Sequence, residues 1–132
     1  MNQRKDFLIM QRLYEDYLYD TENSKIIAEY ESPFFPSNFR YYKEWLYQAP
    51  NGKFFLYGEG NGSSPYGCPA YDSGMEEGAD LRPLTFDEAK KWYQDTLDKL
   101  YRVDDIMDSK DPEPNYPTYC RLFKKNNEKE KE

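Results

Sequence analysis

The period of apolar and polar positions changes several times along this chain, and each change marks an expected element. Near the start, Phe7, Met10, Tyr14, Tyr17 and Leu18 follow i, i+3, i+4 spacing, with Arg4, Lys5, Arg12, Glu15 and Asp16 mostly elsewhere on the wheel. That period predicts a helix over residues 3–19. "KIIAEYES" (25–32) has paired β-branched residues and ends before Pro33, and reads as a strand. "PFFPSNF" has two prolines and three phenylalanines. It reads as irregular chain whose rings cover one end of the core.

"RYYKEWLYQ" and "KFFLYGE" then alternate with period two around Pro50-Asn51-Gly52. Asn-Gly predicts a hairpin closed by a type I′ turn. Rings occur on both faces of both arms, so the hairpin is expected at the centre of a sheet covered on both sides. Residues 58–80 carry six glycines and two prolines and read as a long mobile excursion, with "ADLRPL" returning briefly to the sheet. In "TFDEAKKWYQDTLDKLYRVDDIMD", Thr85 and Glu88 form a capping box, and Ala89, Trp92, Tyr93, Leu97, Leu100, Val103 and Met107 form an apolar stripe. That is a helix of about six turns. "DPEPNYPTYC" reads as extended and proline-limited, and "KKNNEKEKE" as a solvated tail.

The expected fold is therefore α+β. A small antiparallel sheet centred on the 41–59 hairpin packs with an N-terminal helix and a long C-terminal helix. Residues 1–123 form a single domain and 124–132 a charged, flexible tail.

Composition narrows function mainly by exclusion. The 132 residues include 14 Tyr, 8 Phe and 2 Trp, enough ring area to build a core from few positions. The tyrosines exceed that need, and Tyr is enriched at recognition surfaces. A net charge of −7 argues against direct nucleic-acid binding and against an anionic membrane surface. No apolar run approaches a membrane span, and the first residues do not read as a signal peptide, so a cytoplasmic location is expected. Cys68 and Cys120 have no CxxC spacing and read as two thiols, with a disulfide left open. The chain has no histidine, which removes Ser-His and Cys-His nucleophiles and the usual zinc sites.

The glycine loop "GEGNGSSPYG" (58–67) lacks the lysine and the following helix that a phosphate cradle requires. Asp72, Glu76, Glu77 and Asp80 crowd "YDSGMEEGAD" without the alternation of a calcium loop. They read as a solvated acidic loop, so neither cofactor nor metal is expected. Negative charge, surplus tyrosine and a long loop on a rigid sheet together point to a protein-binding surface. Such a surface steers toward a basic groove and anchors through rings.

"LYQAPNGKFFLYGEGNGSSPYG" followed by "RPLTFDEAKKW" resembles a pattern in small uncharacterised proteins of Firmicute phages, plasmids and conjugative elements. The matching positions are Leu46, Tyr47, Gly52, Phe54, Phe55, Gly58, Glu59, Gly60, Ser64, Tyr66, Pro83, Leu84, Thr85, Glu88, Ala89 and Trp92. The chain departs from the pattern at Asn61, where the pattern has Gly. The resemblance covers residues 46–92 and implies a mobile-element origin in a bacterial host. Small acidic proteins of such elements include anti-CRISPR proteins that occupy the nucleic-acid channel of an effector nuclease. The expected function is such a non-enzymatic inhibitor, acting by steric block or nucleic-acid mimicry on a host defence nuclease. Its contact residues would be Glu59, Tyr66, Asp72, Glu76, Glu77 and Asp80, with Tyr57 at the base of the loop. The alternatives are a regulatory or structural module, homodimeric through exposed rings, and a carboxylate enzyme or cation binder.

Overall fold

The computed structural model describes residues 10–101 and 114–124. Within them the chain is mixed α/β, with antiparallel sheets and two helices. The principal sheet has the order β3-β4-β5-β8. Its strands are β3 (Lys25–Glu31), β4 (Tyr42–Gln48), β5 (Phe54–Gly60) and β8 (Gly78–Leu84), all antiparallel to their neighbours. β5 is central and buried at every position except the half-buried Glu59. The two-sided ring pattern of 41–59 thus led to the right place.

Each face of the sheet holds its own cluster. On one, Ala28, Leu46, Phe54, Leu56 and Leu84 pack against helix α1 (Phe86–Tyr101) through Ala89, Tyr93 and Leu97. The capping box forms as predicted: the Thr85 N–H donates to Glu88 Oε1 (2.9 Å) and the Glu88 N–H to Thr85 Oγ1 (3.0 Å). The rest of the predicted helix, residues 102–108, lies outside the described residues. On the other face, Trp45, Tyr47, Phe55, Tyr57 and Leu81 pack with Tyr19 and Ala49. Tyr47 stacks on Phe55 with ring centroids 4.9 Å apart.

The cover of that second face is the main departure from the sequence reading. Residues 11–20 form a hairpin of β1 (Gln11–Tyr14) and β2 (Tyr17–Asp20), and no part of the predicted N-terminal helix is helical among the described residues. Glu15 and Asp16 both take positive φ, 51° and 70°, so the residues expected on a polar helix face form a two-residue turn. The second face needs a cover of its own, and only period-two geometry aims both Tyr17 and Tyr19 at it. Tyr19 meets Phe55 edge-on at 5.6 Å, and Arg12 Nη1 donates to the Leu81 carbonyl on β8 (2.8 Å).

Three further expectations are corrected. The central hairpin does not use a type I′ turn: only Gly52 has positive φ (88°), and its N–H donates to the Ala49 carbonyl (2.8 Å). Pro50, whose ring fixes φ negative, favours this three-residue arrangement with a glycine bulge. The rings of "PFFPSNF" do not all cover the core: Phe35 and Phe39 are 81% and 76% exposed. Residues 116–120, expected to be extended, are helical, and the helix continues to 124: α2 (Tyr116–Tyr119) runs into a π-helical turn (Cys120–Lys124). Asn115 Oδ1 caps it by accepting from the Thr118 N–H (2.9 Å), and the i, i+4 pair Tyr119 and Phe123 joins Tyr93 in the core. Among the described residues, the helix nearest the C-terminus is thus short, nine residues, and the longer helix precedes it. Of the predicted tail, only Lys124 is described.

Candidate functional site

β3 ends at Glu31, β4 begins at Tyr42, β5 ends at Gly60 and β8 begins at Gly78. The antiparallel order therefore sends the 32–41 and 61–77 connections out of the same end of the sheet. The second connection falls within the long mobile excursion expected over 58–80, and it carries a two-stranded ladder of β6 (Cys68–Pro69) and β7 (Met75–Glu76). The glycines serve close backbone packing here. A Cβ on Gly62 would lie 2.8 Å from the Met75 carbonyl oxygen, and one on Gly67 would strike the Gly62 carbonyl. "ADLRPL" does more than return briefly, because the whole of Gly78–Leu84 pairs with β5.

Three side chains fix this end to the body. Asn61 Nδ2 donates to the Pro36 and Asn38 carbonyls (2.9 and 2.7 Å), which clamps the 33–40 turn to the loop that follows β5. The Tyr66 ring lies over Gly58, where any Cβ would collide with it. Its hydroxyl donates to Glu44 Oε2 (2.6 Å), and Trp92 Nε1 donates to Glu44 Oε1 (2.9 Å). Glu44 thereby joins β4, the glycine loop and α1 at a single carboxylate.

Tyrosines crowd that carboxylate. Tyr42 lies 6.3 Å from Tyr66 and 6.1 Å from Tyr30, centroid to centroid. Burial, then the neighbouring Glu44, pushes the Tyr66 phenol far above its ordinary value. Burial, then Tyr30 and Glu44, pushes Tyr42 up to about 12, and burial with Glu29 does the same to Tyr47. These folded-state values exceed the ordinary 10.0, so the neutral phenols stabilise the fold fully below pH 10. That contribution is lost as pH rises from about 10 to about 12. A titration followed by phenolate absorbance and far-UV circular dichroism is expected to show part of the ionisation arriving together with loss of structure. Complete ionisation near pH 10 with structure intact would contradict it.

The seven sequence-predicted contact residues separate. Asp72, Glu76 and Glu77 are exposed on the β6–β7 segment, and Asp80 is exposed on β8, 3.8 Å from Arg12. Tyr66 is half-buried and braces the loop from within. Glu59 is half-buried on β5, opposite Lys43 in register. Tyr57 is fully buried against Trp45 (centroids 5.5 Å apart), with burial raising its phenol. Its ring belongs to the core and not to a surface. Sequence reasoning missed Glu44, Asn61, Phe35 and Phe39. The available signals were an acid at a strand position facing between rings, and an asparagine where the resembled pattern has glycine.

Between Lys53 and Arg82 there is no Lys or Arg, while Glu59, Asp72, Glu76, Glu77 and Asp80 fall in that span. Fully exposed Tyr71 and 55% exposed Met75 sit among them. The segment at this end of the sheet is thus acidic and without Lys or Arg of its own, and it sets exposed carboxylates beside exposed apolar groups. Among the described residues, no three Cys, Asp or Glu are grouped to hold a metal, both cysteines are free thiols, and no helix is long and apolar enough to cross a membrane. No family model, curated protein or solved structure matches this chain.

Proposed function

We propose that this chain is a non-enzymatic protein-binding inhibitor that places its acidic end in the basic, nucleic-acid-binding groove of another protein. One observation carries the reading. A cation-free acidic segment, folded on its own ladder and braced by Tyr66 on Glu44, projects from one end of a rigid sheet. Carboxylates carried on a folded segment attract a groove lined with Lys and Arg without first paying to order the backbone of a loop. The specific form we propose is an anti-CRISPR protein of a phage or mobile element, acting in the bacterial cytoplasm. It occludes the channel of an effector nuclease by steric block or by carboxylates standing where phosphates would lie.

The test is competition. Purified guide-loaded effector nucleases are mixed with this chain and with labelled target DNA. The expected result is that at least one nuclease loses DNA binding and that excess DNA displaces the chain. If every nuclease tested keeps full DNA binding at saturating chain, this form of the proposal is overturned.

A second reading, a self-associating structural module, is favoured by one feature. Leu13 and Leu18 face each other across the β1–β2 ladder, on the side away from Tyr19, and are 70% and 49% exposed. Sedimentation velocity over a wide concentration range distinguishes the two, since the inhibitor reading expects a monomer throughout.

A further inference from the structure

We infer that Phe35 and Phe39 are the apolar anchors of the binding end, and that they seat in an apolar cleft of a protein surface whose rim is basic. This rests on the protein-binding reading above and adds to it the residues that hold the complex once charge has steered it.

The two rings are the most exposed phenylalanines among the described residues, yet the backbone that carries them is pinned. The Asn38 N–H donates to the Phe35 carbonyl (2.9 Å), the Ser63 N–H to the Phe39 carbonyl (2.8 Å), and the Arg40 N–H to Asn38 Oδ1 (2.8 Å). Asn61 holds the Pro36 and Asn38 carbonyls. Large apolar side chains kept in water on a fixed turn forgo burial in their own core, and the cost of ordering the backbone that carries them is already met before binding. Two aromatic side chains of low conformational freedom are the composition of an interface hot spot.

Charge selects the partner. The Ser63 N–H donates to the Phe39 carbonyl, and the neighbouring Gly62 abuts Met75, so the backbone of the turn adjoins the β6–β7 segment, along which Asp72, Glu76 and Glu77 fall. Glu31 flanks the turn and accepts from the Tyr41 hydroxyl (2.6 Å). The cation of the turn, Arg40, lies over the Phe34 ring at 4.9 Å. Anionic lipid would be repelled by this rim, whereas Lys and Arg around an apolar cleft complement it.

The test is a selection of random displayed peptides on the full chain, followed by affinity measurement on three variants. These are Phe35→Ala/Phe39→Ala, Asn61→Gly, and the neutralised Asp72→Asn/Glu76→Gln/Glu77→Gln/Asp80→Asn. The expected binders combine Lys or Arg with large apolar residues and lose at least about tenfold affinity on the double alanine variant. Because both rings are exposed, that variant should keep the wild-type Tm, which separates lost contact from lost fold. Asn61→Gly keeps the rings but is expected to weaken the same binders several-fold and to speed amide exchange over residues 37–40. Binders that hold the double alanine variant as tightly as wild type overturn the inference, as does a selection that enriches none. Binders without basic residues overturn the stated partner chemistry. Loss on the double alanine variant with no loss on the neutralised variant keeps the anchors and removes the acidic reading on which the proposed function depends.

Discussion

Replacing Tyr57 by alanine is expected to destabilise the fold by about 3–5 kcal/mol and to lower Tm by on the order of 10–20 °C. The ring is fully buried beside Trp45 on the central strand, in the cluster with Phe55, Tyr47, Tyr19 and Leu81. Removing it opens a cavity that the paired strands on either side cannot close. Domains of this kind hold about 5–15 kcal/mol in total, so the loss takes a large share. Thermal and urea unfolding measure it directly. Any fall in binding should then disappear when folded protein concentrations are matched. A Tyr57→Ala variant of wild-type stability would place this ring outside the core.

Glu44→Ala is expected to cost about 2–4 kcal/mol, because it leaves the Tyr66 hydroxyl and the Trp92 indole N–H without their common acceptor. The two donors lie on different elements, so the effect is also directional. Release of Tyr66 frees the 61–67 loop from β5, and release of Trp92 loosens α1 against β4. Glu44→Gln keeps a carbonyl for the indole and an amide for the phenol, and is expected to recover most of the stability. Amide exchange over residues 61–67 should rise in the alanine variant and stay near wild type in the glutamine variant. Equal protection in all three would show that Tyr66 is held by its packing on Gly58 alone.

Much of this fold was legible where local chemistry and tertiary demand agree. The two-sided ring pattern of residues 41–59 marks a central hairpin because only a strand covered on both faces can use rings at every position. Thr85 and Glu88 mark a helix start because their reciprocal bonds are local. Residues 11–20 misled because Met10, Tyr14, Tyr17 and Leu18 satisfy a helical period while Tyr17 and Tyr19 satisfy a period of two. The choice was made by an uncovered sheet face that lies far away in sequence. Asn-Gly pointed to a two-residue turn, but the preceding Pro50 shifted it to a three-residue one. Residues 116–124 carry two signals, the Asn115 cap and the Tyr119–Phe123 spacing, which the surrounding prolines obscured.

The candidate site was legible in its charge and not in its architecture. Asp72, Glu76, Glu77 and Asp80 are exposed, as acids in a loop read from sequence. Tyr57, chosen for its place beside the loop, points into the core because the alternation of β5 puts it on the inner side of the hairpin-covered face. Glu44 and Asn61 act through partners 22 to 48 residues away in the chain, a separation that no local pattern encodes. Phe35 and Phe39 read as core residues because phenylalanine is ordinarily buried. Only their exposure on a pinned turn assigns them to a surface.

The most direct test of the central claim is the salt dependence of binding to any effector nuclease that the competition assay identifies. Affinity is measured from about 50 to about 500 mM salt for wild type and for the Asp72→Asn/Glu76→Gln/Glu77→Gln/Asp80→Asn variant. The account predicts that wild-type affinity falls steeply with salt, and that the neutralised variant binds about tenfold or more weakly at low salt with a much flatter dependence. Equal affinities and parallel salt slopes would contradict it.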